Sequence, residues 1–236
     1  MSDRKWKAKG AGDILKILFD EFVMFHPQAD GKVPVPHLWI PAKSESNLVI
    51  LVGDNASGKS VARRIISQIC REVEPRIEPM AVSMQGRTGG GMANAFIYGD
   101  EGFESTGQVS ARTVTTGIAT CRNRKNPHMV FWDEPDLGLS DSWAAGVGVA
   151  IAEFSQSLPE MTKGVFVVTH SKALVTQLLS VPHHYVHFGD DKKHPADLTA
   201  WCNKPVRSRS IEKLADISRK RYQAIQAAIN ANKREK

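Results

Sequence analysis

Apolar residues fall in short continuous runs, separated by stretches where they recur every three or four positions, and the two spacings alternate along the chain. The runs Leu48–Val52, Met80–Met84, His128–Trp132, Val165–Thr169 and Tyr185–Phe188 are each long enough for one buried strand. Helical spacing is found between them, over Lys59–Glu72 (Val61, Ile65, Ile66, Ile69), roughly Val109–Cys121, Ser142–Ser157 and Lys172–Ser180. This alternation predicts an α/β fold built on a parallel sheet, because parallel neighbours need a crossover between them. Ile14–Phe25, interrupted by Lys16, Asp20 and Glu21, predicts an amphipathic helix ahead of the sheet. Ile211–Asn232 predicts another behind it, with Ile211, Leu214, Ile217, Tyr222, Ile225 and Ile229 near one face. Pro34, Pro36 and Pro41 predict an irregular or edge segment, and the glycine-rich, aperiodic Gly86–Gly107 a loop or small excursion.

The first strand runs directly into Gly53-Asp-Asn-Ala-Ser-Gly-Lys-Ser60, a complete G-x-x-x-x-G-K-[ST] loop, and a helix follows. Strand, glycine-rich turn and helix in that order aim backbone N–H groups and the positive helix end at a polyphosphate. Gly53, Asp54, Asn55, Ala56, Ser57, Gly58, Lys59, Ser60 and Val61 are the expected contacts. Lys59 reaches the β- and γ-phosphates in such a loop, and the Ser60 hydroxyl ligates Mg²⁺. The expected ligand is a nucleoside triphosphate.

Two later strands end in residues that suit the same chemistry. His128-Met-Val-Phe-Trp-Asp-Glu-Pro135 closes on adjacent carboxylates. Asp133 is placed to join the Mg²⁺ shell and Glu134, one residue further out, to polarise an attacking water. Pro135 stops the strand by removing a ladder donor. Gly164–His170 is another apolar strand, ending in a histidine at the sheet edge where ligands bind in parallel α/β folds. His170 can hydrogen-bond the γ-phosphate or the lytic water. His183, His184, His187 and His194, with Asp190 and Asp191, read as a late strand and its turn, whose alternation separates the side chains, rather than as a metal site.

Composition narrows the setting. No apolar run approaches the roughly 18–20 residues of a membrane span. Cys70, Cys121 and Cys202 are dispersed and give neither a disulfide framework nor a metal pair, so a cytoplasmic location is expected. The net charge is +6, and from Lys204 onward ten Lys/Arg accompany three Asp/Glu. The excess therefore sits on the last element, either a docked helix with a solvated basic face or an arm that meets nucleic acid or an acidic partner.

In the order of these motifs the chain resembles the ATP-binding-cassette (ABC) ATPases, from about Leu48 to His170. The family's glutamine after the second core strand corresponds to Gln85, which would touch Mg²⁺ and nucleotide. Its Ser-Gly-Gly-Gln-type signature, which caps the ATP of a second subunit, corresponds to Ser105-Thr-Gly-Gln108, with Ser105 and Gly107 as contacts. Thr106 and Glu104 replace a usual glycine and leucine, and Ser140 stands where an aspartate is usual. An aromatic residue upstream of the loop stacks on adenine in this family, and Trp39 is the best-placed candidate. The resemblance implies a P-loop NTPase core of ABC type over residues 1–203. Within it, 1–46 form an N-terminal helix and lead-in, a reduced signature region covers about 86–125, and a basic helical tail follows over 204–236.

Only 19 residues separate Gln85 from Ser105. That is too few for the helical subdomain of a transporter or the coiled coil of chromosome-maintenance relatives, since one stable helix takes about 12–15 residues. The expectation is a Mg²⁺-dependent ATPase acting as a switch, pairing head to tail in an ATP-dependent homodimer and controlling an effector protein. The alternatives are an ATP-gated nucleic-acid protein using 205–236, or a regulatory subunit with little turnover.

Overall fold

The computed structural model describes residues 6–25, 37–39, 46–83, 105–189 and 195–234. Within these, the apolar runs become six strands: β1 (His37–Trp39), β2 (Leu48–Gly53), β3 (Glu78–Ser83), β4 (His128–Asp133), β5 (Thr162–Thr169) and β6 (His184–Phe188). They form one sheet in the order β1-β6-β2-β5-β4-β3. β2 through β6 run parallel, as the alternating pattern predicts. The stretch between Pro36 and Pro41 supplies β1, an antiparallel edge strand on β6. β3, at the opposite edge, starts at Glu78 and carries Pro79, which an outer strand tolerates because one side of its ladder is unused.

Seven α-helices accompany the sheet among the described residues: α1 (Ala11–Glu21), α2 (Lys59–Glu72), α3 (Thr106–Asn123), α4 (Asp141–Gln156), α5 (Lys172–Leu178), α6 (Leu198–Asn203) and α7 (Glu212–Arg234). Alternate residues of each strand serve opposite faces. Leu48, Ile50 and Val52 join Trp132, Ile151 and Leu174 in one cluster, whereas Val49 and Leu51 join Leu15, Ile66 and Phe166 in the other. The continuous apolar runs follow from this: a strand covered on both faces cannot spare a position for solvent. Adjacent β4 residues show the division, Trp132 meeting Phe154 edge-on at 5.7 Å and Phe131 stacking on Phe166 at 4.9 Å. Each such pair adds about 0.5–1.5 kcal/mol beyond the area it buries.

Several boundaries, and one helix, differ from the sequence pattern. α1 begins at Ala11 rather than Ile14, its first N–H donating to Asn47 Oδ1 at 3.3 Å, and it stops at Glu21 because Phe22 turns extended. Val23–Phe25 then forms a short 3₁₀ turn in place of the expected helix end. α6 has no counterpart in the periodicity. It is six residues long, capped by Asp197 through Ala200 N–H, and held by buried Leu198 and Trp201. No helix among the described residues is long and apolar enough to cross a membrane.

Candidate functional site

β2 delivers the chain to the sheet's C-terminal edge, and Gly53, Ala56 and Gly58 take positive φ (149°, 58° and 104°) before α2 begins. Left-handed residues among right-handed ones turn successive N–H groups toward one concavity, the geometry that binds anions. Lys59 folds back over the turn, its Nζ donating to Gly53 O at 2.7 Å and Asp54 O at 2.9 Å. Burial pushes the Lys59 pKa down, opposed by the carboxylates of Glu134, Asp54 and Asp133, while Arg221 adds to the lowering. Ser57 Oγ is buried without a hydrogen-bond partner among the described residues. A buried cation and an unsatisfied hydroxyl on one turn suit an anionic, oxygen-rich ligand. A cavity of about 760 Å³ opens over this turn, lined by Asn55–Val61, by Asp133 and Glu134, and on its far side by residues of α7.

β5 lies between β2 and β4, so Asp133 and Glu134 reach the cavity from one strand beyond the neighbour of β2. Asp133 is nearly buried, and burial pushes its carboxyl pKa up while the Arg63 guanidinium works against that. Arg63 Nε stands 2.9 Å from Asp133 Oδ2, a largely buried ion pair. A buried carboxylate beside the anion-binding turn is a group that could hold a cation. Ser60, exposed on the first turn of α2, is the accompanying hydroxyl. Mg²⁺ suits so small a protein contribution, because it keeps waters and phosphate oxygens as its other ligands. Among the described residues no group of three or more His, Cys, Asp or Glu gathers as an all-protein metal site.

Glu134 stands in the left-handed region, with φ 53°. For a residue with a Cβ that conformation costs roughly 1–2 kcal/mol. Two contacts hold it: its N–H donates to Val168 O at 2.8 Å, and Leu137 N–H donates to its carbonyl at 3.1 Å. The Glu134 carboxylate lies beside His170, whose Nδ1 is 3.5 Å from Glu134 Oε1. Behind them Thr169 Oγ1 donates to Asp136 Oδ1 at 2.8 Å, fastening the turn after β4 to the end of β5.

The contact with Glu134 raises the His170 pKa above its usual 6.5, and the contact with His170 lowers Glu134 below its usual 4.5. The histidine's contribution to stability is complete below pH 6.5 and is lost as pH rises through its raised folded value. The carboxylate's contribution is present above 4.5 and is lost as pH falls through its depressed folded value. Both operate between pH 4.5 and 6.5. The melting-temperature difference between wild type and His170→Ala should therefore be largest in that window and shrink toward pH 9. The effect is small because His170 is half-exposed. A difference that grows with rising pH would show that the pair does not form.

Ser105 caps α3 with a complete capping box, its Oγ accepting from Gln108 N–H and its own N–H donating to Gln108 Oε1 at 2.8 Å. Gly107 sits so close to Gly138 that a Cβ would lie 2.8 Å from the Gly138 carbonyl oxygen, and Ser110 Oγ donates to Leu137 O. The start of α3 is thus mounted on the turn that follows Glu134. Neither Ser105 nor Gly107 lines the cavity over its own phosphate loop. Trp39 closes β1 in register with Tyr185, two strands from the loop's strand. Gln85, His194, Asp190 and Asp191 lie outside the described residues. His184 and His187 are three residues apart on β6, and His184 Nε2 is engaged by Ser46 O at 2.8 Å.

Three arginines join the site without having been marked by a motif. Arg63 is four residues after Lys59 on α2, a charged position between the apolar ones at Val61 and Ile65, and that i,i+4 spacing is the signal that could have found it. Arg209 pairs with Asp54 at 2.7 Å, and Arg221 donates to Ala56 O. Both come from the C-terminal segment, whose docking place no local pattern encodes. No protein-family model matches the chain, and comparison with curated proteins finds no match.

Proposed function

We propose that this chain is a Mg²⁺-dependent ATPase of the ABC type, a P-loop NTPase that couples ATP binding to pairing of two copies. The observation that carries this reading is convergence on one cavity. Lys59, after β2, and Asp133 and the strained Glu134, at the end of β4, line it, and His170, at the end of β5, stands against Glu134 from outside the lining. The loop's N–H groups and Lys59 bind the phosphates, replacing the carbonyl contacts that Lys59 now makes. Ser60 and Asp133 would hold Mg²⁺, which when bound neutralises phosphate charge. Glu134 takes a proton from the attacking water, and His170 holds that carboxylate ionised and in place. Ser105–Gly107 of a second copy would complete the site, since this helix start does not line the cavity over its own loop and a helix start offers N–H groups to an anion.

A nucleic-acid role for the terminal segment draws less support, because Arg209 and Arg221 are engaged by the phosphate loop. Light scattering after size-exclusion chromatography tests the switch, using Glu134→Gln to prevent turnover. Mg-ATP should convert monomer to dimer, and Ser105→Arg should abolish the shift. Demonstrated ATP binding with no change of mass would overturn the pairing and leave Ser105 as a helix cap.

A further inference from the structure

The chain after α6 does not leave the domain. Lys172 Nζ donates to Lys204 O, and residues 205–211 then run past the phosphate loop, where Arg209 meets Asp54. α7 crosses over the loop and continues to the 3₁₀ turn at Val23–Phe25. None of its described side chains is buried: Leu214 is 41 % and Tyr222 65 % exposed. A helix with a solvent-facing apolar edge, held over a polar loop largely by arginines, is not there to complete the hydrophobic core. Between helix and loop remains the cavity of about 760 Å³, roofed by Leu214, Ser218, Arg221 and Tyr222.

We infer that α7 is the second wall of the nucleotide site, and that Arg221 is a phosphate-contacting residue supplied by the same chain. The inference rests on the nucleotide reading above. Arg221 is already beside the turn that would cradle the phosphates, on the Ala56 carbonyl. Its charge reaches Lys59, so two cations face one space, and a polyanion relieves their repulsion. Glu134, Asp54 and Asp133 offset that repulsion at Lys59 when no ligand is bound, each shared with a second cation, His170, Arg209 and Arg63 respectively. A guanidinium presents a planar fork suited to phosphate oxygens, and one on a loosely seated helix can close on the ligand without disturbing the sheet. The apolar roof residues, Leu214 and Tyr222, gain cover when the cavity fills.

Calorimetric titration of the full-length chain with Mg-ATP tests this, comparing wild type, Arg221→Ala, Arg221→Lys and Lys59→Ala. Arg221→Ala should weaken binding by about ten- to a hundredfold, the range for losing one charge-assisted hydrogen bond. Arg221→Lys should recover part of the loss, and the melting temperature without nucleotide should stay near that of wild type. Mg-ATP should also slow tryptic cleavage after Arg207, Arg209 and Lys213 in wild type and not in Arg221→Ala. Binding by Arg221→Ala equal to or tighter than wild type would overturn the inference, and the tighter result would mark α7 as a shield. Failure of the nucleotide reading looks different: wild type itself would give no binding heat, or Lys59→Ala would bind unchanged.

Discussion

Glu134→Gln is expected to bind Mg-ATP within about threefold of wild type and to lower kcat by about 10²–10⁴, the range for removing a positioned general base. Glutamine keeps the length and planarity of the side chain, so the turn after β4 should retain its φ of 53° and its bond to Val168. What goes is the proton acceptor and the charge that pairs with His170. Phosphate release under saturating Mg-ATP, set beside the calorimetric affinity, separates the two effects. If binding holds while kcat falls, the carboxylate acts after the nucleotide is seated. Full turnover in the variant would remove Glu134 from the chemistry and leave its backbone strain unexplained.

That strain is the feature the amino-acid pattern hides. Leu48–Ser60 is legible because one signal repeats at every level: an apolar run, glycines where φ must be positive, a lysine, and then helical spacing. Asp133 and Glu134 are legible as the polar end of an apolar strand. Strand order is another matter, since nothing local to Val165–Thr169 says that it pairs with Leu48–Val52 on one side and with β4 on the other. Only that pairing brings His170 against Glu134. α6 escaped because six residues span less than two turns, too few for periodicity to register. The tail was legible as a basic helix, but an exposed amphipathic helix carries no address. The tail meets the phosphate loop through two arginines, Arg209 and Arg221, no different in sequence from the others around them.

Gly53→Ala should be the most damaging single-methyl substitution at the site, and for a reason in the backbone. At φ 149° the residue occupies a conformation that side chains avoid, and an added Cβ would lie 2.0 Å from the Phe188 carbonyl oxygen. Gly53 and Phe188 are register partners, so β6 would have to part from β2 at the mouth of the loop. Backbone strain and overpacking together put the loss at about 3 kcal/mol or more. For a chain of this length that lowers the melting temperature by roughly 6–12 °C. Gly146, in α4, is the control, because an added Cβ there would meet nothing within 4 Å. Its change to Ala should stabilise the helix by about 0.5–1 kcal/mol. Thermal melts of both variants, each repeated with saturating Mg-ATP, distinguish a local clash from a general intolerance of alanine. Mg-ATP is expected to stabilise wild type and not Gly53→Ala, because the first residue of the anion-binding turn will have moved. A variant that melts with wild type and still gains stability from Mg-ATP would show that β2 and β6 do not approach this closely at the loop.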